Sequence, residues 1–104
     1  MIDKIYLIQN TDSGYYKVGF TKRKISDRIK DFSTANPAEL RCIYEFKTEH
    51  SRKVETAIKN YYKNYKIKGE WFQFDDNVVN NFLNFCQQLE NNFNCLKKYN
   101  TYIK

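Results

Sequence analysis

The chain has 104 residues, 41% hydrophobic and 17% aromatic, with a formal net charge of +6 and a pI near 9.2. That length fits one domain, and the apolar share is enough for a modest core and excludes a disordered polyelectrolyte. The charge favours an acidic partner, nucleic acid first and an anionic membrane second.

In chain order, residues 2–9 alternate and are rich in apolar β-formers, which predicts a strand. Asn10-Thr11-Asp12-Ser13-Gly14 is a dense turn signal, and 15–20 reads as the return strand of a hairpin. Ile25, Ile29 and Phe32 recur at helical spacing, so a helix is expected over about 24–34. Asn36-Pro37 should end it, because the residue before proline avoids the helical region. Leu40–Thr48 reads as a third strand. A second helix should begin between 49 and 52 and run to about Tyr65, with Val54, Ile58, Tyr61 and Tyr65 on one face. Gly69 breaks the chain, and 70–74 is a short aromatic extended segment. Asp75 and Asp76 suit a helix N-terminus. Val79, Phe82, Cys86, Leu89, Phe93 and Leu96 then mark a long amphipathic helix, which either packs on the domain's own sheet or forms a homodimer seam.

The expected fold is α+β: a small, mainly antiparallel three-stranded sheet flanked by helices. A core domain over 1–74 is followed by the C-terminal amphipathic helix over 75–104.

Lysines outnumber arginines 14 to 4 and there are 12 asparagines, a bias that AT-rich coding produces, so charge alone does not define a site. Cys42, Cys86 and Cys95 are odd in number and lack a CxxC pair, which reads as reduced thiols. With His50 as the single histidine, no zinc constellation can be written. No apolar run reaches the roughly 18 residues of a membrane span, and the first residues lack a signal-peptide pattern. An intracellular protein that does not enter membranes is the expectation.

The chemistry-bearing residues are Tyr6, Lys17, Arg28 and Glu55. A phenol, an ammonium and a guanidinium on a small sheet suit work on a phosphate, where a cation neutralises developing charge and a base activates water. Arg28 sits at the edge of the first helix's apolar face, where its guanidinium can fork onto two phosphate oxygens. Glu55 lies near the apolar boundary of the second helix; it can help hold Mg²⁺ or Mn²⁺ when phosphates and waters complete the shell, or pair with Lys59 at i+4. Tyr6 could act as a base near neutrality if Lys17 and Arg28 lowered its pKa. Each of these residues also has a plain reading as a core or surface side chain. Lys22, Arg23 and Lys24, together with Lys59, Lys63, Lys66 and Lys68, form either solvated faces or a DNA backbone track.

These residues carry a resemblance. The ordered set Tyr6-Leu7-Ile8, Tyr16-Lys17-Val18-Gly19-Phe20-Thr21, Arg28, Glu55 and Gly69-Glu70-Trp71-Phe72 resembles the GIY-YIG nuclease superfamily, in a small phage T5-like branch described as a phage-type DNA-binding domain. The match covers about residues 3–74. It implies metal-dependent cleavage of a DNA phosphodiester. Tyr6 would hold or deprotonate water, Arg28 would stabilise the pentacoordinate phosphate, and Glu55 would bind the divalent ion. Lys17, at the place of the superfamily's second tyrosine, would orient the water or lower the pKa of Tyr6. Three positions depart from the superfamily or branch pattern: Lys4 stands for a glycine, Phe32 for a His or Tyr, and Lys59 for a His. The departures admit two alternatives: a nucleic-acid-binding module on the same fold, with RNA as well as DNA possible, or a viral or mobile-element protein that binds and antagonises a host protein. In the Gly69–Phe72 motif, Trp71 and Phe72 read more readily as anchors to the core than as a base-stacking rim.

Overall fold

The computed structural model describes residues 2–33 and 39–103. Strand β1 (Asp3–Asn10) and strand β2 (Tyr16–Thr21) form the expected hairpin, in which the Asn10 side chain accepts from the backbone N–H groups of Asp12 and Ser13 at 2.9 and 3.3 Å. Helix α1 (Ile25–Ser33) follows; the expected Asn36-Pro37 stop lies outside the described residues. Strand β3 (Leu40–Thr48) pairs with β1, and helix α2 (Ser51–Tyr61) runs into a 3₁₀ turn at Lys63–Tyr65. Strands β4 (Lys66–Lys68) and β5 (Trp71–Phe72) come next, then helix α3 (Asp76–Asn80) and helix α4 (Phe82–Ile103).

The class is the expected α+β with an antiparallel sheet, but the sheet has five strands, in the order β3-β1-β2-β5-β4. Two are added because β5 pairs with β2 and recruits β4 across a tight turn at Gly69, whose φ of +60° suits glycine. The C-terminal helical region also breaks. The Asp75 side chain caps α3 by accepting from Val78 N–H at 2.9 Å, and the chain leaves helical geometry at Asn81 before α4 begins.

Period-two alternation sends neighbouring β1 residues to different cores. Ile5 and Leu7 join Tyr16 and Val18 of β2, Val54 and Ile58 of α2, Phe72, Phe74, and Phe82 and Cys86 of α4 in the main cluster. Tyr6 and Ile8 join Ile25 in a second cluster, backed by Ile29, Phe32, Leu40 and Cys42. A β-bulge between the Leu7 and Ile8 pairings leaves Ile43 of β3 without a counterpart. Tyr44 and Phe46 therefore serve the main cluster while Leu40 and Cys42 serve the second. Both Phe82 and Cys86 are fully buried, whereas Leu96, further along the same stripe, is 56% exposed.

Burial has a titration consequence. Desolvation pushes the Cys86 thiol up to about 12 and raises the hydroxyls of Tyr6, Tyr16 and Tyr62 above their ordinary value. A group raised on folding stabilises the fold fully below its unfolded pKa and loses that contribution as pH rises through the folded value. Stability should therefore fall from about pH 9 upward, with Cys86 alone contributing a slope of about 1.4 kcal/mol per pH unit. Urea unfolding repeated across about pH 8 to 11 measures this slope; a flat profile would contradict it.

Candidate functional site

The site is built around Tyr6, which is only 2% exposed. Its strand register places it opposite Gly19, and its ring lies so close over that glycine that a Cβ there would overlap the hydroxyl and the ring carbon Cζ. Its hydroxyl faces the Arg28 side chain on α1, and that contact acts to lower the phenol's pKa. Because a guanidinium can only donate, the phenol oxygen can meet it only as an acceptor, which leaves the phenol's own O–H to donate elsewhere.

Burial raises the pKa of Tyr6, against the lowering influence of Arg28. This reverses the expected direction: desolvation outweighs the cation, and Glu55 and Glu70, both within electrostatic reach of the phenol, oppose it further. Lys17 sits among other partners at the site. Its ammonium lies 2.8 Å from the Glu70 carboxylate, 4.2 Å from the Phe32 ring centroid and 5.8 Å from that of Trp71.

Phe32 has a role that the sequence did not disclose. Its ring has Arg28 Cζ at 4.6 Å and the Lys17 ammonium at 4.2 Å from the centroid, and its centroid is 6.3 Å from that of Tyr6. Where a proton-transfer group was expected, an aromatic surface gathers both cations beside the phenol.

Glu55 lies 3.6 Å from Lys59, the i+4 pair that was the plain reading of that residue. Lys59 also lines a recess of about 290 Å³ with Asn60, Lys63, Lys66, Gly69, Glu70 and Phe72. Three members of the proposed basic track, Lys59, Lys63 and Lys66, therefore share one depression beside the Glu70 turn. Lys68 lines a different recess with Tyr15, Ile67 and Trp71. Lys22, Arg23 and Lys24 are exposed on the loop before α1; Arg23 is tied at 2.6 Å to Asp31, which also lies 3.5 Å from Arg28.

Thus Tyr6, Arg28 and Glu55 share one electrostatic environment, and Lys17 joins it through Phe32 and Glu70. Glu70 was quoted within a motif but assigned no part in the site. The signal that would have found it is the pairing of Lys17 with Trp71, which brings the turn onto the cation, and that pairing is tertiary. Of the Gly69–Phe72 motif, Phe72 is buried and Trp71 is half-buried beside Lys17.

Among the described residues, no group of three or more His, Cys, Asp or Glu side chains could hold a metal ion, and no helix is long and apolar enough to cross a membrane. The site sets a buried phenol beside a partly exposed guanidinium on a small antiparallel sheet, and a family match places the chain in a nuclease-related, phage-associated class of domain. The T5orf172 domain family matches residues 3–87, and the chain belongs to that family. No curated protein and no solved structure matches it.

Proposed function

We propose that the protein is a GIY-YIG-type endonuclease that nicks DNA with a divalent metal ion. The observation that supports this reading most is the buried Tyr6 phenol facing the partly exposed Arg28 guanidinium, with Glu55 in electrostatic reach. Arg28 presents its guanidinium to a phosphate, where developing charge on the oxygens strengthens the contact. Tyr6, kept protonated by burial and with its oxygen engaged by Arg28, orients the attacking water through its free O–H rather than serving unaided as the base. Lys22, Arg23, Lys24, Lys59, Lys63, Lys66 and Lys68 contact the DNA backbone and set its path without reading sequence.

The donor set fits a hard cation that arrives with its substrate. Glu55 supplies one carboxylate oxygen donor, and Mg²⁺ or Mn²⁺ accepts a single carboxylate when phosphates and waters provide the rest. Such an ion supplies Lewis acidity and a more acidic bound water. Supercoiled plasmid incubated with purified protein and Mg²⁺ or Mn²⁺ should yield the open circle, and Glu55→Ala should lose this activity by at least about tenfold. Plasmid left intact at high protein concentration across several metals would sink the proposal.

A second reading has its own support. Phe32 cannot transfer a proton, and Lys59 already neutralises Glu55. On this reading the protein is a nucleic-acid-binding module whose salt-sensitive binding persists in Glu55→Ala without metal.

A further inference from the structure

Lys17 and Glu70 form a close ion pair at the site, 2.8 Å apart, and the proposed cleavage gives that pair no task. The two partners differ in freedom. The Lys17 side chain is 15% exposed, with its ammonium set beside the Phe32 and Trp71 rings. That of Glu70 is 62% exposed and comes from the tight turn after Gly69, so it can swing into solvent while Lys17 stays. The Glu70 carboxylate also shares a recess with Lys59, Lys63 and Lys66. Lys17 first, then Lys59 and Arg28, hold its carboxyl below the usual range.

A phosphodiester and a carboxylate are both singly charged anions that offer a cation two equivalent oxygens. We propose that Lys17, Lys59 and Arg28 form a phosphate-binding position whose resident anion is Glu70, so that a DNA backbone phosphate binds by displacing this carboxylate. The inference rests on the DNA reading above and adds the position of one phosphate and the group it must displace. Two consequences follow for the turn at Gly69. It moves outward when DNA binds, and Glu70 lowers affinity in the free protein, most for ligands too short to engage the rest of the basic track.

The test is fluorescence anisotropy of a short labelled duplex at low salt with EDTA, using wild type, Glu70→Gln, Lys17→Gln, the double variant, and Glu49→Gln as an exposed charge control. Glu70→Gln should tighten binding about three- to fivefold, the scale of an exposed ion pair. Glu49→Gln should change binding by less than about 1.5-fold, and Glu70→Gln should gain no more than that when Lys17 is already glutamine. Unchanged or weaker binding by Glu70→Gln, or an equal gain in both Lys17 backgrounds, would overturn the inference while leaving the DNA reading intact. Failure of wild type and every variant to bind would overturn both. Thermal melts of the same proteins confirm that each is folded.

Discussion

Gly19→Ala should lower stability by about 2–4 kcal/mol and dismantle the site in the same step. Gly19 lies within β2 opposite Tyr6, and the tyrosine ring occupies the space a Cβ would need. The ring cannot retreat easily. Phe32 packs against it, Arg28 holds its hydroxyl, and it is almost fully buried. The alanine therefore forces either the sheet pairing or the phenol out of place, and both outcomes move the phenol away from Arg28. The melting temperature should fall by at least about 10 °C. Adding Tyr6→Leu to Gly19→Ala removes the clash, so the double variant should be more stable than the sum of the single effects allows. A Gly19→Ala protein that melts with the wild type would show that the close approach is not maintained.

Arg28→Ala should reduce nicking by about 10²- to 10³-fold, the usual scale for losing one preorganised donor to a developing anion. Arg28→Lys should recover little of this. An ammonium cannot fork onto two phosphate oxygens while also donating to the Tyr6 hydroxyl, and it lacks the planar group now set beside Phe32. Single-turnover rates under saturating DNA separate this loss from weaker binding. The salt dependence of binding should meanwhile become shallower by about one phosphate contact. Equal rates for Arg28→Ala and wild type would remove Arg28 from the reaction.

The hairpin and α1 were legible from their apolar periods and turn residues, and β3 and α2 from their apolar residues, but the bulge in β3 and the end of α2 at Tyr61 rather than Tyr65 were not. Strand β4 was not legible. Lys66-Ile67-Lys68 is wholly exposed and buries no face, so no hydrophobic period announces it; it exists because β5 offers it an edge. The break at Asn81 was hidden by a 3,4 spacing that runs unbroken through it.

The site was legible in part for a similar reason. Tyr6, Lys17, Arg28 and Glu55 lie on elements whose order alone suggested convergence. Their partners did not: Phe32 looked like a missing proton donor, and its use as a surface for two cations depends on how α1 crosses the sheet. Glu70 reaches Lys17 only through the β2–β5 pairing. The direction of the Tyr6 shift turned on burial, which competes with charge and cannot be weighed from spacing.

The bulge at Ile43 has a consequence for how the chain tolerates changes in length. It works as a phase change along β3, so that one strand supplies side chains to two separate interiors. Deleting Ile43 would close the bulge into a regular ladder with Leu40 and Cys42 still opposite Asn10 and Ile8, whereas deleting a paired residue of β3 would slip the register and turn side chains on one side of the cut to the wrong interior. Insertions belong instead in the turn around Asp12, which is exposed and packs against neither interior.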